Sequence, residues 1–128
     1  MLRRLIDARL ARDPGANLMV LGDFNDTPNS ATLKAVLGRG KRRLVDTRPA
    51  EWNPGPRQVD ISGAAPRTVT WTHFYVKEDS YSRIDYVLLS PGMAREWIAR
   101  DTYVLALPNW GVASDHRPLV ATIETRDH

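Results

Sequence analysis

An α/β fold is what this sequence predicts, and three observations predict it. Apolar residues recur at helical spacing in two segments, first Leu2, Leu5, Ile6 and Leu10, then Leu33, Val36 and Leu37. Other apolar runs are too short for helices and read as strands, among them Leu18-Met19-Val20-Leu21 and Leu119-Val120-Ala121-Thr122-Ile123. Three polar stretches sit at the ends of such runs or inside them: Gly22-Asp23-Phe24-Asn25, Ser82-Arg83-Ile84-Asp85-Tyr86 and Ser114-Asp115-His116-Arg117-Pro118.

The elements follow in order. Met1 to Arg12 forms an amphipathic helix that Asp13-Pro14-Gly15 stops. The run Leu18 to Leu21 is apolar without alternation, as in a strand covered on both faces, and it gives way to polar groups at its carboxyl end, where open α/β sheets tend to place ligands. Thr27-Pro28-Asn29-Ser30 offers a second helix start, and Gly38 ends that helix. Arg39 to Arg43, with Arg48, make a basic cluster that suits either a solvated loop or a phosphate-backbone contact. The proline- and glycine-containing stretch Glu51 to Pro66 reads as a loop bordering the site. Val69 to Val76 and Ile84 to Leu89 read as antiparallel neighbours joined by a hairpin turn over Lys77 to Tyr81. Ser90-Pro91-Gly92 opens a short helical turn through Trp97, Tyr103, Leu105 and Leu107 alternate as a strand, and Leu119 to Ile123 closes the chain's core. Trp71 reads as core packing, and there is no internal repeat.

Chemistry concentrates in the three polar stretches. Asp23 and Asn25 are two residues apart, so continued extended geometry would send both side chains to one face, a carboxylate to hold water or metal and an amide to donate to an anionic oxygen. An Asx turn after the strand uses the same residue types. Asp85 shares its strand face with the aliphatic Val87 and Leu89, so desolvation demands a partner. Arg83 and His116 both qualify. His116 stands between an acid and a buried strand, whereas His73 lies in a Thr-rich strand and His128 is terminal. A carboxylate on the far nitrogen of an imidazole fixes its tautomer and raises its basicity, which makes an Asp85–His116 pair chemically useful.

Composition bounds the rest. With 128 residues, 42% hydrophobic and 26% charged, the chain is an ordinary single-domain globular segment rather than a disordered one. No apolar stretch approaches the ~20 residues of a membrane span. No signal peptide is visible, so a cytoplasmic location is the default expectation. A net charge of +3 favours a polyanionic substrate mildly, and the absence of cysteine excludes disulfides and thiolate metal sites.

The ordered trio GDFN, SRIDYVLLS and SDHRPL resembles the endonuclease/exonuclease/phosphatase superfamily, which includes DNase I-like nucleases, abasic-site endonucleases, inositol polyphosphate 5-phosphatases and neutral sphingomyelinases. The resemblance extends from Gly22 to Leu119. It implies a metal-dependent phosphoester hydrolase of nuclease or phosphodiesterase type. Asp23 would orient or deprotonate the attacking water, and Asn25 would hydrogen-bond the scissile phosphate. Asp85 would pair with His116, which would protonate or stabilise the phosphate oxygens. Asp115 would bind the metal, magnesium with manganese as its alternative.

The resemblance also implies a departure. What is present corresponds to the carboxy-terminal half of the family's domain, a partial DNase I-like α/β sandwich with a mixed, mainly antiparallel sheet and flanking helices. The metal-binding Glu of the other half has no counterpart before Gly22. Residues 1–128 are therefore expected to be a partial domain with an uncovered sheet face, to be closed by a homodimer or by the missing half. Substrate choice rests on loops outside these motifs, and nucleic acid is one substrate in the implied range. The alternative is a non-catalytic remnant of the fold that binds phosphate or nucleic acid weakly.

Overall fold

The computed structural model describes residues 1–52 and 70–125. Among the described residues two α-helices, α1 (Leu2–Arg12) and α2 (Ala31–Leu37), accompany eight short strands: β1 (Met19–Asp23), β2 (Val45–Asp46), β3 (Ala50–Trp52), β4 (His73–Tyr75), β5 (Ser80–Ser82), β6 (Asp85–Leu89), β7 (Tyr103–Leu105) and β8 (Leu119–Val120). They form three small sheets with orders β1-β6-β2, β3-β7-β8 and β4-β5. Every pairing is antiparallel except β3 with β7. The fold is α/β with mixed, mainly antiparallel sheets.

Period-two alternation in β6 organises the core. Tyr86 and Leu88 point to one face, where they meet Ile6 and Leu10 of α1, Leu33, Val36 and Leu37 of α2, and Leu44, with Leu18, Val20 and Phe24 packed at the margin. Each fully buried aliphatic side chain here is worth about 1.5–3 kcal/mol over leaving it in water. Arg3 fastens the two helices together by donating to the terminal carbonyls of α2 at Val36 and Leu37, both at 3.0 Å. The other end of α2 is capped by Ser30, whose hydroxyl accepts from the Leu33 N–H.

The opposite face of β6 carries Asp85, Val87 and Leu89. Their register partners on β1 are Asp23, Leu21 and Met19, whose side chains emerge on the same side. Val87 and Leu89 are buried, but Leu21 is 64% exposed. The apolar run Leu18 to Leu21 therefore does not make the strand covered on both faces that its composition suggests. Among the described residues β1 is an edge strand, sheltered on the helix side alone.

Ser90 locks the turn after β6. Its buried hydroxyl donates to the Ala16 carbonyl at 2.7 Å and accepts from the Leu18 and Met93 N–H groups. Gly92 approaches the Gly15 carbonyl so closely that a Cβ would stand 2.2 Å from that oxygen. The predicted hairpin differs in partner: β4 pairs with β5, while β6 pairs with β1 and β2. A left-handed Asp79 (φ 46°) turns the chain one strand earlier than the hydrophobic pattern implies, so Ser80–Ser82 takes the place expected for β6. Most of the Glu51–Pro66 stretch lies outside the described residues, and Ala50–Trp52 at its start is strand.

Candidate active site

Asp23 and Asp85 are direct cross-strand partners at the carboxyl end of β1 and the start of β6. Two carboxylates facing each other across a sheet repel unless something positive intervenes. His116 intervenes. Its Nδ1 lies 2.9 Å from Asp85 Oδ2, and its Nε2 lies 3.9 Å from Asp23 Oδ2 and 4.0 Å from Asp115 Oδ1. An ionised carboxylate only accepts, so Nδ1 is the donor in the Asp85 contact and the outward nitrogen is Nε2.

Backbone contacts fix this arrangement. His73 and His116 face each other in an isolated antiparallel bridge, flanked by hydrogen bonds from Phe74 N–H to Asp115 O at 3.0 Å and from Arg117 N–H to Thr72 O at 2.7 Å. The fully buried Thr72 hydroxyl accepts from both the Ile84 and Asp85 N–H groups at 3.1 Å, which pins the first residues of β6. Ser114 Oγ accepts from the His116 N–H and shapes the turn into the site. Beside it, the Arg117 guanidinium lies 3.4 Å from the Trp71 ring centroid and donates to Glu51. Trp71 also meets Phe74, Tyr81 and Trp110, so it packs as expected, although in an aromatic cluster next to the site.

The competing partner for Asp85 is otherwise engaged. Arg83 makes a two-pronged pair with Asp46, one prong at 2.9 Å, and lies over the Tyr86 ring. That leaves Asp85 to His116. Burial disfavours the imidazolium of His116, but the hydrogen bond and charge of Asp85, reinforced by Asp23 and Asp115, outweigh it and raise its pKa above the usual 6.5.

Asn25 departs from the simple extension of β1. It adopts a left-handed conformation (φ 50°), and its N–H donates to Asp23 Oδ1 at 2.7 Å. This is the Asx turn, and it orients the Asp23 carboxylate by engaging one oxygen. Asn25 remains exposed next to that carboxylate. The five sequence-derived candidates thus lie on three converging segments, with Asp23, Asp85 and Asp115 all reaching His116 and Asn25 adjoining Asp23.

Two further residues join them, and local pattern flags neither. Thr72 is one Thr among several in its segment. His73 lies in Thr-rich surroundings, yet its ring centroid is 4.6 Å from that of His116, and its Nε2 is 3.5 Å from Asp115 Oδ2. The available signal was the TWTH run itself, in which the adjacent Thr72 and His73 put a polar side chain on each face of the expected strand.

A hard divalent cation fits this donor set in the manner usual for magnesium, through one or two carboxylates with water completing the shell. Asp23 and Asp115 supply such oxygens, their side chains being 47% and 64% exposed. A cleft of 490 Å³ is lined by Thr27, Asn29, Arg48, Trp71, Tyr81 and Arg83; it shares Trp71 with the aromatic cluster and includes none of the five candidates. The Arg48 side chain is mostly exposed there and only loosely held by Asp46 at 3.7 Å.

A model of the Endonuclease/Exonuclease/phosphatase family matches residues 1–116. No curated protein and no solved structure matches the chain. No helix among the described residues is long and apolar enough to cross a membrane.

Proposed function

The chain belongs to the endonuclease/exonuclease/phosphatase family, and from that membership we propose that it is a divalent-metal-dependent phosphoester hydrolase acting on phosphodiesters, nucleic acid among them. The observation that carries this reading is the Asp85–His116 hydrogen bond, with the free face of the imidazole directed between two more carboxylates.

The residues divide the work as follows. Asp23 takes the proton of an attacking water as its oxygen bonds to phosphorus. Asn25 donates an amide hydrogen bond to a non-bridging oxygen. His116, whose protonated form the Asp85 carboxylate favours, donates from Nε2 to the phosphate as negative charge accumulates and the bond to the leaving oxygen breaks. Asp115 would hold magnesium or manganese, which when bound supplies Lewis-acid polarisation of the phosphoryl oxygen. Arg48 in the neighbouring cleft meets the substrate's flanking anionic groups.

We read residues 1–116 as corresponding to the carboxy-terminal half of the family's domain. Support comes from β1, an edge strand whose Leu21 is exposed while its neighbours Val87 and Leu89 on the same face are covered. The amino-terminal half, or a second copy of the chain, would cover Leu21. The same exposed edge favours the second reading, a non-catalytic remnant that binds phosphate or nucleic acid.

Cleavage of plasmid DNA and of a simple phosphodiester, with magnesium and with chelator, separates the two. Magnesium-dependent cleavage that Asp115→Asn reduces supports the hydrolase. Binding of DNA without cleavage under every metal condition supports the remnant.

A further inference from the structure

The histidine that the hydrolase reading leaves unused points to a second kind of metal chemistry. We propose that His73, Asp115 and His116 form a site for a borderline divalent cation of the zinc class, and that its occupancy withdraws His116 Nε2 from substrate.

The geometry argues for it in three ways. One ligand atom from each residue lies within 4.8 Å of the other two. His73 Nε2 is 3.5 Å from Asp115 Oδ2, and His116 Nε2 is 4.0 Å from Asp115 Oδ1. Donors about 2.0–2.1 Å from a tetrahedral zinc stand about 3.3–3.4 Å apart, so the His73–Asp115 edge already has nearly that length and the other edges close by at most about 1.5 Å, a movement within reach of the exposed Asp115 carboxylate and ring rotation. The shorter edges of an octahedral magnesium shell, about 2.9 Å, fit it less well. Two imidazoles and one carboxylate also constitute a nitrogen-rich donor set, which suits zinc, cobalt or nickel and not magnesium.

The surroundings supply what such a site requires. Asp85 accepts from Nδ1 of His116, the carboxylate–histidine–metal relay that orients a ligating ring and raises its basicity. The His73–His116 bridge and its two flanking hydrogen bonds hold both backbones, so the two rings do not have to be gathered from separate mobile loops. Asp115 is exposed, which leaves an entry path and an open position for water.

The binding claim stands on geometry alone, whereas the consequence for catalysis rests on the hydrolase reading. A ring nitrogen bonded to zinc has no proton to donate to a phosphate. Zinc would therefore inhibit magnesium-dependent hydrolysis, and His73→Ala would relieve that inhibition.

Calorimetric titration with zinc, and visible absorption with cobalt(II) as a probe, test the two claims separately on the whole chain. Wild type should bind one zinc per chain and give the ligand-field spectrum of a tetrahedral cobalt site. His73→Ala and His73→Gln should each weaken binding at least tenfold, with circular dichroism unchanged. Asp85→Asn should weaken it by about 10–100-fold, as loss of an outer-shell carboxylate does elsewhere. Zinc affinity unaltered in both His73 variants, or no binding by wild type at micromolar concentration, would overturn the site. Zinc binding through His73 in a chain that hydrolyses nothing would keep the site and defeat the hydrolase reading. Hydrolysis that zinc inhibits equally in wild type and His73→Ala would defeat the link between them.

Discussion

His116 is suspended from Asp85 by its Nδ1 at 2.9 Å, so that its other nitrogen faces Asp23 and Asp115 at 3.9 and 4.0 Å. One carboxylate is spent on orientation, and the other two remain at the open side of the ring, where a substrate, a water or a cation arrives.

This relationship sets a pH dependence. The folded pKa of His116 is raised, so the stabilisation linked to its proton is fully present below pH 6.5 and is lost as pH rises through the elevated value. Asp85→Asn removes the main stabilising partner of the imidazolium. The expected outcome is a His116 pKa lowered towards 6.5 in an NMR titration, an alkaline activity limb shifted to lower pH, and a rate loss of about 10–100-fold, short of what removing the imidazole would give. An unchanged titration would show that the pair carries no charge coupling.

The Arg83–Asp46 pair predicts stability without chemistry. Both side chains are largely shielded, at 11% and 8% exposure. Arg83→Met leaves Asp46 with only its Arg48 contacts and should cost about 1–3 kcal/mol in a denaturant melt. Pairing it with Asp46→Leu should recover most of that loss, because no unpaired charge then remains. If the single variant unfolds like wild type, the pair is not desolvated as described.

Ser90→Ala leaves the Leu18 N–H, Met93 N–H and Ala16 carbonyl short of a partner in a buried turn. The cost should be about 1–3 kcal/mol. Kinetic constants of the surviving folded fraction should not move, since Ser90 lies at the far end of β6 from Asp85.

Arg48→Ala tests the neighbouring cleft. An exposed cation that meets a substrate's flanking phosphate is worth about as much as a surface ion pair, so KM for an oligonucleotide should rise about two- to fivefold with kcat nearly unchanged. A small phosphodiester without flanking phosphates should show no difference. Equal effects on both substrates would place Arg48 in a structural role.

Much of this was legible before any coordinates. The α1 periodicity, the Ser30 cap and Gly38 stop of α2, and the β6 alternation are local signals, and each appears within a residue or two of where the pattern puts it. Asp85 and His116 could be paired because a carboxylate on an aliphatic face requires a partner. What escaped depended on long-range placement. The choice between Arg83 and His116 was decided by Asp46, 37 residues away from Arg83 in sequence, which no local pattern encodes. Edge exposure of Leu21 follows from which strands lie beside β1, not from its own apolar run. Asn25 left the extended path because the Asp23 side chain bonded its backbone, a competition that residue type permits without deciding. His73 reaches the site through a bridge to His116, far along the chain, which its own neighbours in sequence do not encode.

The most direct test compares the initial rate of magnesium-dependent phosphodiester hydrolysis by wild type and by His116→Ala, at pH 7 and with matched circular dichroism. The account predicts a fall of about 10²–10⁴-fold, the usual share of a positioned proton donor. Equal rates in the two proteins would contradict it, since the observed turnover would then owe nothing to the imidazole on which Asp23, Asp85 and Asp115 converge.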